Sequence, residues 1–116
     1  AIDNKTTGYK TNTSNSNQIN TEDKIFLLSY KDVFRTSAYF NSKAARQKKS
    51  TDYAKSQGCL TSITNHSCCW WLRSPDSDSS YRAYFVAYYV TGFYDDGDLV
   101  SNNGFGVVPA LWIKLN

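Results

Sequence analysis

The chain has 116 residues, of which 41% are hydrophobic, 16% aromatic and 20% charged, and its formal net charge is +3 at pH 7. This length allows one domain with a modest core, and no apolar run approaches the roughly 20 residues that a membrane-spanning helix needs. The net charge is too small to indicate nucleic acid, and it falls mainly on a predicted helix, at Lys43, Arg46, Lys48 and Lys49. We therefore expect one domain that neither inserts into a membrane nor binds nucleic acid.

The first 21 residues differ in composition from the rest of the chain. They are rich in Asn, Thr and Ser and nearly empty of apolar side chains. We interpret residues 1–21 as a polar leader or linker from an upstream region, with a weak edge strand around residues 6–11. The folded domain is predicted at residues 22–116, as part of a larger chain.

The segment after this leader predicts a strand and then a helical turn. Asp23–Ser29 contains the short apolar run IFLL, which is consistent with a buried strand. Ser29 or Tyr30 can open a helical turn that continues through Val33 and Phe34.

Ala44–Gln57 is the strongest helical segment, in one piece or two. Ser50 or Thr51 can cap the start of the second piece, and Gly58 stands where a C′ glycine is expected. From this helix Tyr53 is expected to reach the core.

The last third of the chain predicts antiparallel strands. We expect them at Trp70–Leu72, Ala83–Val90, Asp98–Ser101 and Val107–Leu115, where Pro109 implies an edge position or a bulge. Strands that follow helices in this way indicate an α+β fold, with the helices packed beside a small twisted antiparallel sheet.

Aromatic side chains are concentrated in the same part of the chain. A domain of this size cannot bury all of them, so some are expected on a recognition surface. Phe85, Phe93 and Phe105 fit a core as well as a surface, and both interpretations stay open. The aromatic residues concerned are Tyr81, Tyr84, Phe85, Tyr88, Tyr89, Phe93, Tyr94, Phe105 and Trp112.

Two motifs frame this aromatic segment: WWLRSP at Trp70–Pro75 and GVVPALWIKL at Gly106–Leu115. With KIFLLSYKDV and ARQKKSTDYAKSQG upstream, they resemble a bacterial family of domains of unknown function that ends in WWLRSP…GVRPALWI. The resemblance covers about residues 23–115 and implies a C-type-lectin-like fold, of the branch shared with formylglycine-generating enzymes. Val108 departs from the family pattern, which has Arg at this position.

Some proteins with this ending are variable proteins of diversity-generating retroelements, in which error-prone reverse transcription rewrites adenines near the 3′ end of a gene. The resemblance implies a variable region at about residues 70–111. Asp76, Ser77 and Ser79 also carry residue types that such rewriting produces. The predicted ligand-binding residues are Asp78, Ser80, Tyr81, Arg82, Tyr84, Phe85, Ala87, Tyr88, Tyr89, Thr91, Phe93, Tyr94, Asp95, Asp96, Asp98, Ser101, Asn102, Asn103 and Phe105.

The chemistry of this set suits binding. Tyr offers a large contact area with few torsions to order, while Ser, Asn and Asp offer adaptable hydrogen bonds, as in antibody combining sites. We expect a protein or glycan ligand, and a location on a bacterial cell surface or a phage particle. A fixed adhesin or structural domain of a surface protein is the alternative function.

Sequence motifs for catalysis or metal binding are weak in this chain, and we expect no catalytic residue, cofactor or metal. Asp95–Asp98 reads DDGD but lacks the remaining ligands of a calcium loop, so a tight turn is expected. One histidine, His66, supports no catalytic triad. A formylglycine-generating type of enzyme remains a less favoured hypothesis, with Cys68 or Cys69 as its reactive thiol.

The three cysteines leave their redox state open. Cys59 can pair with Cys68 or Cys69 across a short connection, or all three can be small apolar thiols. The three thiols with His66 have enough ligands for zinc, but their spacing matches no standard pattern.

Overall fold

The computed structural model describes residues 23–34, 39–76, 79, 81–88 and 97–115. Within them the chain forms a small α+β domain with short helices and small antiparallel sheets, as the sequence predicts. The elements in chain order are β1 (Phe26–Leu27), α1 (Tyr30–Phe34), α2 (Lys43–Arg46), β2 (Lys48–Lys49), α3 (Asp52–Ser56), β3 (Ser67–Cys68), β4 (Trp70–Pro75), β5 (Arg82–Val86), β6 (Asp98–Leu99) and β7 (Pro109–Ala110).

The central sheet has the order β4-β5-β6 and is antiparallel throughout. Trp70 pairs with Val86 and Trp71 with Phe85, and the register then shifts before Pro75. Two further pairs, β1 with β7 and β2 with β3, flank this sheet. The strands predicted from Asp23 onward are therefore present, although most are shorter than expected. The weak edge strand expected around residues 6–11 lies outside the described residues.

The two faces of the central sheet build two separate clusters, because successive side chains of a strand point in opposite directions. The first cluster contains Tyr30, Val33, Trp70, Leu72, Tyr84 and Val86. The second contains Cys69, Phe85 and Ala87, with Trp71, Tyr88 and Phe105 packed against it. Trp70 is fully buried and Trp71 is half-buried, so the two adjacent tryptophans serve different faces of the sheet.

Arg73 ties β4 to the start of the domain. Its Nη1 donates to the carbonyl oxygen of Leu27 at 2.7 Å and to Asp32 Oδ2 at 3.1 Å. Arg73 therefore braces β4 through one carboxylate and one backbone carbonyl group.

Two other residues of the WWLRSP motif also hold neighbouring elements. Ser74 Oγ accepts the Tyr30 backbone N–H at 2.7 Å, and both residues are buried. Trp70 Nε1–H donates to the carbonyl oxygen of Arg46, the last residue of α2, at 3.1 Å. This motif thus fixes β1, α1 and α2 around the sheet.

The predicted helix in the middle of the chain is in two pieces. The α2 helix ends before Gln47, whose backbone is extended and leads into β2. Thr51 caps α3 by accepting the Ala54 N–H at 3.1 Å, and Gly58 follows with φ at +89°, as predicted. Tyr53, however, is 76% exposed, so the expectation that it reaches the core is wrong. It lies on the solvent side of a helix that buries no residue.

The end of the chain is less regular than predicted. Only Pro109–Ala110 of the expected strand Val107–Leu115 pairs with β1, at an edge, as Pro109 implies. Trp112 and Leu115 beyond this pair are 83% and 87% exposed. Val108 packs against the first cluster, which explains how Val is accommodated here.

None of the helices in the described ranges combines the length and the apolar character that crossing a membrane requires.

Candidate binding surface

An exposed surface forms where β5 begins and β6 ends. Arg82 pairs with Leu99, and the Val100 N–H donates to the Tyr81 carbonyl oxygen at 3.1 Å, so these segments lie side by side. The Tyr81 side chain is 64% exposed and Val100 is 61% exposed. We call this the Tyr81 surface; its residues are Tyr81, Arg82, Leu99, Val100, Ser101 and Asn103, all of them exposed.

A compact turn between Asp98 and Gly104 supports the Tyr81 surface. Asn102 Nδ2 donates to Asp98 Oδ2 at 3.2 Å, while Asn102 Oδ1 accepts the Gly104 N–H at 2.8 Å. Asp98 Oδ1 in turn accepts the Leu99 N–H at 2.7 Å. Asp98 and Asn102 are half-buried, so these two predicted ligand-binding residues hold the shape of the turn that presents Ser101 and Asn103.

Close backbone packing anchors the same region to the sheet. Gly97 is buried, and a Cβ there would clash with the carbonyl group of Ala83, whose carbon it would approach to 2.7 Å. The Gly97 N–H donates to the buried carboxylate of Asp76 at 3.1 Å. Asp76, which the sequence analysis placed among the changeable surface positions, is therefore a structural residue.

Three predicted ligand-binding residues lie inside the protein. Tyr84 is 1% exposed and packs on Tyr30 at a ring distance of 4.9 Å. Phe85 and Ala87 are buried in the second cluster. Their interpretation as surface contacts is wrong, because β5 is covered on both faces beyond Ala83.

Two other predicted ligand-binding residues, Phe105 and Tyr88, are partly buried. Phe105 lies 4.5 Å from the ring of Phe85 and 4.7 Å from that of Trp71, so the aromatic rings form one group. Tyr88 packs on the same cluster and is half-buried. Both side chains chiefly complete the second cluster, and the open question about Phe85 and Phe105 is resolved towards packing.

The remaining predicted ligand-binding residues lie outside the described part of the chain. They are Asp78, Ser80, Tyr89, Thr91, Phe93, Tyr94, Asp95 and Asp96.

The structure also contains an apolar groove that the sequence analysis did not identify. It has a volume of about 300 Å³, which is at the lower end of the range for ligand pockets. We call it the Trp112 groove; it is lined by Phe26, Leu28, Asp32, Phe40, Ala110, Leu111 and Trp112. Phe26 and Leu28 stand two residues apart, a spacing that places both on one side of an extended segment, but the run IFLL by itself predicts only a buried strand.

Asp32 is the charged group of this groove. Partial burial would raise its pKa, but hydrogen bonds from Ser29 and the Arg73 guanidinium together outweigh burial and hold the pKa of Asp32 below its usual value. The carboxylate is therefore ionised at neutral pH. Because Arg73 neutralises this charge, the groove as a whole favours apolar rather than strongly charged groups.

The described residues provide no evident catalytic arrangement. His66 lies exposed in the connection between α3 and β3, and burial raises the pKa of the Cys68 and Cys69 thiols, which lowers their reactivity. Across the same ranges no three His, Cys, Asp or Glu side chains come together in a way that could hold a metal ion.

These features define a small α+β domain in which a braced framework presents an exposed face at one end of the sheet. The chain belongs to the family of the domain of unknown function DUF6273, whose model matches residues 1–115. The match therefore includes residues 1–21, the predicted leader. No curated protein and no solved structure matches the chain.

Proposed function

We propose that this protein is a ligand-binding domain whose Tyr81 surface is the described part of its binding face. This surface lies within the variable region at about residues 70–111 that the family resemblance implies. The short helices beside small antiparallel sheets are compatible with the finer proposal of a C-type-lectin-like fold. In this proposal the domain recognises a protein or a glycan and catalyses no reaction.

One observation carries the proposal: at the start of β5, the side chains change from exposed to buried within a few residues. Tyr81 and Arg82 are exposed, whereas Tyr84 is 1% exposed. Side chains on the exposed side can change without disturbing either cluster, while the buried side keeps the fold. A binding face that varies between related chains needs this separation.

The composition of the exposed side supports recognition. Tyr81 offers an amphipathic ring, Arg82 a planar cation, and Ser101 and Asn103 small hydrogen-bonding groups. Antibody combining sites use similar residues, because Tyr gives a large contact area at a low entropic cost. We further propose that a retroelement diversifies these positions and that the domain is displayed on a bacterial cell surface or a phage particle.

A fixed adhesin or structural domain is the second candidate, and the Trp112 groove favours it. The groove is built from the segments around β1 and β7 and contains none of the predicted variable side chains. A protein that binds through this groove would use the same residues in every relative. The two functions therefore place the ligand on different surfaces.

The DNA downstream of the gene tests diversification. A diversified gene has a near-copy of the stretch that encodes residues 70–111, and the two differ almost only where the copy has adenine. The altered codons should include those of Tyr81 and Arg82 and should spare Trp70 and Gly97. Absence of the repeat and of a nearby reverse transcriptase would refute diversification.

Binding is tested with two variants of the same residue type. Tyr81→Ala and Tyr53→Ala each remove a largely exposed ring, but Tyr53 lies on α3, outside the variable region. Wild type and variants are applied to a glycan array and to a peptide array. We expect Tyr81→Ala to weaken the bound signal by about tenfold or more, as for a hot-spot aromatic, and Tyr53→Ala to leave it unchanged.

A third variant separates the two functions. Trp112→Ala removes an exposed wall of the groove. If Trp112→Ala abolishes binding while Tyr81→Ala preserves it, the groove is the binding site and the Tyr81 surface is not.

A further inference from the structure

The thiols of Cys59 and Cys68 lie close to Gly106, outside the Tyr81 surface. Cys59 lies between α3 and β3 and is half-buried, whereas Cys68 belongs to β3 and is 6% exposed. A Cβ placed on Gly106 would lie 3.4 Å from Cys68 Sγ and 3.5 Å from Cys59 Sγ. Both sulfur atoms thus border the same point beside Gly106.

The backbone already holds the two cysteines in this arrangement. Thr61 forms an antiparallel bridge with Cys68, and the Ser62 N–H donates to the Ser67 carbonyl oxygen at 2.8 Å. The chain from Thr61 to Cys68 is therefore a closed hairpin, and Cys59 lies two residues before it.

Cys69 is placed differently. Its side chain is 2% exposed and packs in the second cluster beside Phe85. Although it follows Cys68 directly, adjacent side chains of an extended segment point in opposite directions. Cys69 is therefore not the partner of Cys59.

We propose that Cys59 and Cys68 form a redox-modification site, which closes to an intramolecular disulfide by exchange with a low-molecular-weight disulfide. The more exposed Cys59 thiolate attacks the small disulfide, forms a mixed disulfide and releases one small thiolate. Cys68 then gives up its proton to solvent and attacks the sulfur of Cys59, which releases the second small thiolate. One small disulfide is reduced to two thiols, and the two cysteines are oxidised to one disulfide.

The bond would reinforce the support of the segment before β7. The Leu60 N–H donates to the Gly104 carbonyl oxygen at 2.7 Å, and the Leu60 side chain lies 3.0 Å from the position of a Gly104 Cβ. Leu60 directly follows Cys59. A disulfide at Cys59 would hold this contact in place.

The test incubates the folded, reduced chain with glutathione disulfide and measures the intact mass and the number of titratable thiols. We expect the mass to fall by two hydrogens and two thiols to disappear. Chymotryptic cleavage after Leu60 separates Cys59 from Cys68, so the two resulting peptides should be joined until a reductant is added.

Variants identify the pair. Cys69→Ala should form the disulfide as wild type does, whereas Cys59→Ser and Cys68→Ser should not. A Cys59–Cys69 link, present in Cys68→Ser and absent from Cys69→Ala, would overturn the proposal. A glutathione adduct that persists on Cys59 beside an unmodified Cys68 would overturn it as well.

A redox titration distinguishes a preformed site from chance pairing. Folded and urea-denatured Cys69→Ala are equilibrated with mixtures of reduced and oxidised glutathione. We expect the folded chain to favour the disulfide by about tenfold or more, which corresponds to about 30 mV for this two-electron couple. Equal equilibrium constants in the two states would show that the fold does not bring these thiols together.

Discussion

The carboxylate of Asp76 accepts a hydrogen bond from the backbone N–H of Gly97, at 3.1 Å in the interior of the protein. Asp76 directly follows β4 and Gly97 directly precedes β6. The Asp76 N–H also donates to the carbonyl oxygen of Arg82, at 2.9 Å. Most of the predicted variable positions lie between Asp76 and Gly97. These two hydrogen bonds join the ends of that segment, and neither uses a side chain from between Asp76 and Gly97.

Replacing Asp76 with Ala should destabilise the fold. The change leaves the buried Gly97 N–H without this acceptor, and we expect a loss of about 1–3 kcal/mol in the free energy of unfolding. Urea denaturation followed by tryptophan fluorescence measures it. Asp52→Ala removes a fully exposed carboxylate from α3 and should lower the free energy of unfolding much less. Equal losses in the two variants would contradict the role given to Asp76.

Gly97 should resist substitution for a steric reason. A Cβ there would overlap the backbone carbonyl group of Ala83, so one of the paired strands must move in Gly97→Ala. We expect a loss of about 2 kcal/mol or more. Gly106→Ala is the matched control, because its Cβ would meet its nearest neighbours at 3.4 Å, an ordinary contact distance. The thermal unfolding temperature of Gly97→Ala should be well below that of Gly106→Ala. The reverse order would show that β5 and β6 are not packed this closely.

The parts of the fold that could be predicted are those that local sequence determines. Thr51 and Gly58 mark the ends of α3 because a side-chain cap and a left-handed glycine act within one turn. The opposite faces of Trp70 and Trp71 follow from the geometry of any strand. The Tyr81 surface lies in the part of the chain where the resemblance implies ligand contacts.

The errors concern features that depend on distant segments. Tyr84 is buried because Tyr30 packs on its ring, and Phe85 is buried because Phe105 covers it from the turn after β6. Neither contact leaves a periodic signal in β5. The strand expected at Val107–Leu115 is also too long, and Trp112 is exposed because β7 ends after Ala110.

Substitutions of Tyr81 and Tyr84, three residues apart, test whether Tyr84 belongs to the core. Tyr84→Ala removes a ring from the first cluster, and we expect it to lower the free energy of unfolding by about 3 kcal/mol or more. Tyr81→Ala should change it by no more than about 0.5 kcal/mol, because Tyr81 is 64% exposed. Urea denaturation of the two variants gives both values. A stable Tyr84→Ala chain would restore Tyr84 to the candidate binding face.

The stability of the domain should depend on pH through Asp32. Asp32 and Ser29 cap the start of α1 reciprocally, since the Ser29 N–H donates to the carboxylate at 2.9 Å and the Asp32 N–H donates to Ser29 Oγ at 3.0 Å. With Arg73, these contacts lower the pKa of Asp32 in the folded chain despite its partial burial. The unfolded chain has the usual pKa of about 3.9. The folded state thus binds fewer protons in this range, and the stabilisation present above about pH 4 is lost as the pH falls through the lowered pKa.

Asp32→Asn should remove this part of the pH dependence. We compare urea denaturation of wild type and variant between about pH 6 and pH 3 and expect the variant to lose less stability as the pH falls. The difference should be at most about 1 kcal/mol, because the carboxylate is 38% exposed and solvent screens its ion pair with Arg73. Asp52→Asn, which alters an exposed carboxylate on α3, controls for the effect of an Asp-to-Asn change as such. If Asp32→Asn parallels wild type throughout, the contacts of Ser29 and Arg73 with Asp32 contribute nothing measurable to folding.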